Sequence, residues 1–156
     1  MTTADRTSIK KALARFELFK WLTDEELEMV AALSELKIYA AGLSIMAEGS
    51  AAKDLYMIEQ GKVRVEMSLS VYPGLVQDAM VDVVSEGEPF GWSAVIGSRV
   101  YTMTARAIEG VKVIAIDGEK LLGLFNKNPD IGFKVMEGLV SVVHNRLRAV
   151  KKTLLS

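Results

Sequence analysis

Leu55-Tyr56-Met57-Ile58-Glu59-Gln60-Gly61-Lys62-Val63-Arg64-Val65-Glu66-Met67 is the stretch that decides the fold. Val63, Val65 and Met67 point one way and Lys62, Arg64 and Glu66 the other, the two-residue period of a strand. Asp54–Ile58 forms a second short strand, and Gly61 marks the corner between the two. Glycine reaches positive φ at little steric cost, so it suits a corner that turns sharply. The segment predicts a β-hairpin.

Outward from this hairpin the same grammar repeats. On the N-terminal side, Leu36, Ile38 and Ala40 alternate with polar neighbours, and a short strand at Ser44–Ala47 lies between Gly42 and Gly49. On the C-terminal side, Ser70 to Gly74 reads as a loop and Gln77 to Val84 as a strand. Thr102 to Ile108 and Val111 to Ile116 close the β region around Glu109-Gly110. Many short strands with glycine turns every ~8–12 residues predict a sandwich or barrel. No helical pattern alternates with them, which argues against a parallel α/β fold.

Helical periodicity brackets this region. Leu13, Phe16, Leu18, Phe19 and Leu22 predict a helix over Ile9–Trp21. Thr23 and Glu26 form the pattern of a capping box for a second helix through Leu27, Met29, Val30 and Leu33. Lys120 to Phe125 is a short helix. Asn128-Pro129 then starts a long one, with a capping side chain followed by the residue that suits the first helical position. The expectation is one domain over 1–156: leading helices at 5–33, a β-barrel at 34–116 and C-terminal helices at 117–155.

Four segments in order carry a family likeness: Phe19-Lys20-Trp21-Leu22-Thr23; Ala41-Gly42-x-x-Ile45-x-x-Glu48-Gly49 with the hairpin above; Gly87-Glu88-Pro89-Phe90-Gly91-Trp92-Ser93-Ala94; and Thr104-Ala105-Arg106-Ala107. Together they resemble the cyclic-nucleotide-binding domain, the sensory module of catabolite-activator-type regulators, cyclic-nucleotide-dependent kinases and gated channels. The resemblance implies a mainly β fold with flanking helices, a double-stranded β-helix (jelly-roll) barrel closed by a long C-terminal helix. It also implies a signalling role as a ligand-binding regulator. The ligand would be cyclic AMP, cyclic GMP or another small anion held near Phe90, Gly91, Trp92, Ser93, Ala94, Arg99, Tyr101 and Thr102.

The family's cradle uses backbone N–H groups after the glycine, a Glu for the ribose hydroxyl and an Arg for the cyclic phosphate. Here the Glu position is Trp92 and the Arg position is Tyr101. An indole N–H only donates, so Trp92 cannot accept a ribose hydroxyl. Tyr101 offers a neutral hydroxyl in place of a charged fork. Weak or absent cyclic AMP binding by the usual mode is the expectation. Three readings stay open: a pocket for a different ligand stacking on Trp92, a pocket filled by Trp92 and Tyr101 so that the fold serves only interaction, and rescue of nucleotide binding by Arg99.

Met136, Val140, Val143, Leu147, Val150 and Leu154 are spaced 4, 3, 4, 3 and 4, a heptad seam. The resemblance implies a homodimer through this helix. Phe133, Leu139 and Val142 form a second apolar set, expected to pack on the barrel. Arg146-Leu147-Arg148-Ala149-Val150-Lys151-Lys152 reads as a basic tail suited to a helix C-terminus.

Composition bounds the rest. Half of the 156 residues are hydrophobic and 25% are charged. Lys plus Arg number 19 and Asp plus Glu 20, a net charge of -1, so nothing electrostatic calls for nucleic acid. In a regulator of this type a helix-turn-helix domain would follow the last helix. The sequence stops at Ser156, so direct DNA binding is not expected. With no cysteine and one histidine, His144, there is no thiolate site, no histidine metal cluster and no Ser-His-Asp set. The expectations are no metal, no enzymatic activity, no membrane partner and a cytoplasmic location.

Overall fold

The computed structural model describes residues 3–155. Eight strands form two four-stranded antiparallel sheets. The first has the order β1 (Ser34–Tyr39), β8 (Val111–Asp117), β3 (Asp54–Gln60), β6 (Pro89–Phe90). The second has the order β2 (Ser44–Met46), β7 (Thr104–Ala107), β4 (Val63–Tyr72), β5 (Leu75–Val84). Helices α1 (Thr3–Ala14), α2 (Asp24–Ala31), α3 (Gly118–Lys127) and α4 (Pro129–Leu155) flank the barrel. This is the jelly roll expected from the sequence.

Two apolar layers explain the sequence pattern. Leu55, Met57, Ile114 and Ile116 face the helices, packed with Leu13, Phe19, Val30, Leu121 and Ile131. Tyr56, Ile58, Val113 and Ala115 face the other way, between the sheets, with Val63, Val84 and Phe90. β3 and β8 are therefore covered on both sides, which is why both read as nearly continuous apolar runs. Each large side chain buried this fully contributes about 1.5–3 kcal/mol. At the edge, β1 alternates as expected but turns Leu36 and Ile38 outward, with Ile38 74% exposed.

Several boundaries differ from the sequence reading. The first helix ends at Ala14, and Leu18 and Phe19 are buried from a 3-10 turn at Glu17–Phe19. Ser70 to Tyr72 belongs to β4, and Leu75 opposes Tyr72, so Pro73-Gly74 alone turns the hairpin. Pro89–Phe90 is an additional short strand paired with Tyr56 and Met57. The capping box forms: Glu26 N–H donates to Thr23 Oγ1 at 3.2 Å, and Thr23 N–H donates to Glu26 Oε1 at 2.8 Å. Among the described residues no helix is long and apolar enough to cross a membrane.

α4 buries Ile131, Val135 and Leu139 against the protein. Phe133 does not pack on the barrel as the sequence suggested; it is 72% exposed. Its neighbours in exposure are Val140, Leu147 and Leu154, each seven residues further along the helix. Seven residues are close to two full turns, so Phe133 shares their outward stripe. Met136, Val143 and Val150 flank the stripe and are half-buried.

Candidate ligand site

Gly91 sets the geometry of the site. It follows β6 in the left-handed region, φ 75°, and leads into a 3-10 turn at Trp92–Ala94. A Cβ here would lie 3.1 Å from Tyr56 Cδ2, 3.2 Å from Asp54 O and 3.3 Å from Met46 Sδ. Both the backbone angle and the close approach require glycine. Tyr56 and Phe90 stack beside it, with centroids 4.9 Å apart.

Above this turn lies a cavity of about 370 Å³, walled by the second sheet, the Gly91 turn and α4. That volume falls in the range of small-molecule sites. Its lining is mostly apolar: Met46, Val65, Met67 and Val81 from the strands, Met103 from the bend before β7, Val143, Leu147 and Val150 from α4. Of the eight residues expected from the sequence, Phe90, Gly91, Trp92, Ser93, Tyr101 and Thr102 line it. Ala94 is buried away from it, packed against the helices. Arg99 does not line it either: the residue is exposed, and its backbone adopts φ 60°, uncommon for a non-glycine residue. That turn directs Arg99 O to accept from Ala52 N–H at 2.9 Å.

The hydroxyl of Tyr101 is already occupied. It donates to Asp54 O at 2.7 Å and accepts from Asp54 N–H at 3.1 Å, tying the segment after β6 to the start of β3. Burial pushes the Tyr101 hydroxyl above its ordinary pKa of 10.0, so it stays neutral. Trp92 is half-buried and is one of the residues lining the cavity, which it does not fill.

The charged chemistry comes from residues the sequence reading left out. Arg146, read there as part of a basic tail, reaches from α4 into the cavity with only 14% of its side chain exposed. Its Nε lies 3.1 Å from Asp82 Oδ2 on β5, and its Nη2 donates to Pro89 O at 3.1 Å. Its guanidinium sits 4.6 Å from the centre of the Trp92 ring, a cation–π contact. Burial pulls its pKa below the ordinary value, opposed by Asp82 and Glu88. One signal was available: Arg146 stands three residues after Val143 and four before Val150, so it shares their side of the helix. Its partner Asp82 lies on a distant strand and left no local trace.

Comparison with known proteins decides the family. The model of the cyclic nucleotide-binding domain matches residues 36–128, more than half of the chain. The chain belongs to the cyclic nucleotide-binding domain family. Within it, the chain is 33% identical over 97 residues to cGMP-dependent protein kinase, isozyme 1, of Drosophila melanogaster. That match takes in 62% of this chain and 12% of the kinase. It is 26% identical over 131 residues to the cyclic AMP receptor protein of Thermus thermophilus, covering 84% of this chain and 57% of that protein. The chain thus spans a small fraction of the kinase and little more than half of the receptor protein. Among solved structures, it is similar to a protein from Geobacter metallireducens, provisionally named cyclic nucleotide-binding. There the TM-score is 0.79 at 30% identity, over 94% of this chain and 99% of that one. It also superposes on the Thermus thermophilus catabolite activator protein with TM-score 0.70 at 25% identity, over 88% of this chain and 61% of that one. The domain family places this chain among sensory and regulatory modules.

Proposed function

We propose that this cyclic nucleotide-binding-type domain is a sensor whose cavity binds a small molecule but takes ordinary cyclic AMP or cyclic GMP weakly or not at all. The observation that carries the reading is Tyr101, which stands at the phosphate-arginine position with its hydroxyl spent on the backbone of Asp54. Trp92, at the ribose-carboxylate position, has no acceptor to offer. Each charge-assisted hydrogen bond so lost is worth about 1.5–3 kcal/mol, and two of them weaken binding by factors on the order of a hundred to ten thousand. An open apolar cavity beside these replacements favours retained binding of a different molecule over a filled, purely structural barrel.

The reading includes pairing through α4. Phe133, Val140, Leu147 and Leu154 form an uncovered apolar stripe, and a second copy of the helix would bury it. Leu147 belongs to both the cavity wall and this stripe, with Val143 and Val150 beside it in the wall, so a ligand and a partner chain would act on neighbouring residues. The domain then works as a regulator without chemistry of its own.

Isothermal titration of the protein with cyclic AMP and cyclic GMP tests the reading. Dissociation constants in the millimolar range or weaker are expected, and Trp92→Glu with Tyr101→Arg should tighten them. Micromolar binding by the unmodified chain, or no change in the double variant, overturns it.

A further inference from the structure

We infer that the cavity is built for an uncharged, largely apolar ligand bearing a hydrogen-bond acceptor, rather than for an anion. This rests on the sensor reading above and names the ligand class of that site. Among the described residues, the only charged side chains in the lining are Arg146 and Asp82, and they neutralise each other at 3.1 Å. Glu88 adds a further negative charge close enough to act on Arg146. An anion entering the cavity would meet one cation already paired with the Asp82 carboxylate, with the charge of Glu88 acting on that cation from outside the lining. It would give up its hydration for a site whose charge is zero or negative, and a buried charge without its own partner is strongly disfavoured.

A neutral acceptor meets no such opposition. A guanidinium carries five N–H donors in a rigid fork, more than the contacts with Asp82 and Pro89 O use. A ketone, ether or lactone oxygen can take one of the others while the ion pair stays intact. Around it, Met46, Met67 and Met103 line the walls with flexible, polarizable side chains that adapt to irregular apolar shapes. Trp92 holds Arg146 in place through its ring face, which keeps the donors at the cavity rather than in solvent.

The test compares 2-decanone with decanoate, matched in chain length, at neutral pH. Trp21 is exposed, so a Trp21→Phe background leaves Trp92 as the only indole and its fluorescence reports occupancy of the cavity. The ketone should bind at least about tenfold tighter than the acid. Because simple partitioning also favours the ketone, Asp82→Asn is the sharper arm: releasing the charge of Arg146 should shift the ratio towards decanoate by about tenfold or more. Decanoate binding as tightly as the ketone in the parent, or a ratio unmoved by Asp82→Asn, overturns the neutral-ligand inference and leaves the sensor reading standing. Absence of binding by 2-decanone, decanoate and both cyclic nucleotides overturns the sensor reading itself.

Discussion

Replacing Tyr101 with Phe removes one oxygen and should cost the fold about 2–4 kcal/mol. The hydroxyl satisfies both backbone groups of Asp54, at 3.1 Å to the N–H and 2.7 Å to the carbonyl. Tyr101 is 5% and Asp54 7% exposed, so water has little access to the groups left behind. A net hydrogen bond is worth about 1 kcal/mol, whereas a buried group left unsatisfied costs about 1–3 kcal/mol. The second effect dominates because the ring stays and its packing is unchanged. For a chain of this length, a loss near 3 kcal/mol corresponds to a fall in Tm of about 6–12 °C. Urea unfolding followed by circular dichroism reads the loss directly, and an unchanged slope shows that the unfolded state is unaffected. A loss below about 0.5 kcal/mol would refute the reasoning. It would mean that Asp54 finds other partners and that the Tyr101 hydroxyl is free to meet a ligand.

Two further outcomes follow from the helices. Val140→Asp places a charge in the exposed stripe of α4 without touching the cavity, so sedimentation should show a dimeric parent and a monomeric variant; a monomeric parent ends the pairing proposal. Glu26 accepts from Thr23 N–H and from Lys134 on α4, and Lys134 foremost holds its carboxyl below the ordinary 4.5. A depressed carboxylate pKa stabilises the fold above the unfolded value and loses that stabilisation as pH falls through the lower folded value. Glu26→Gln should therefore flatten the drop in urea midpoint between about pH 5 and pH 3; an unaltered drop refutes the assignment.

Much of the barrel was legible in the sequence because β3 and β8 are buried on both faces and their corners need particular residues. Gly91 and the box of Thr23 and Glu26 are local devices, and local devices leave local signatures. The hairpin tip escaped because Leu69, Val71, Tyr72, Leu75 and Val76 are all exposed there, so its strands have no buried side to produce an apolar–polar contrast. The end of α1 escaped because a 3-10 turn keeps Leu18 and Phe19 at nearly helical spacing. Within the site, the wall after Gly91 could be read from the motif. Arg99 was misplaced because its left-handed backbone breaks the alternation expected of a strand. Arg146 was read only as one charge in a basic run, since what gives it meaning is a tertiary pairing with Asp82.

The geometry of α4 has a mechanical consequence. Its 27 residues extend for about 40 Å. Ile131, Val135 and Leu139 clamp its first half, and the ion pair between Lys134 and Glu26 adds to the grip. Beyond this fulcrum Arg146 is a polar pin, about 10 Å along the rod, and Leu155 lies about 24 Å along it. A rigid rod pivoting at Leu139 would therefore magnify a displacement at the pin a little more than twofold at its tip. An ångström of change in how the guanidinium sits becomes about two ångströms where a neighbouring chain would feel it.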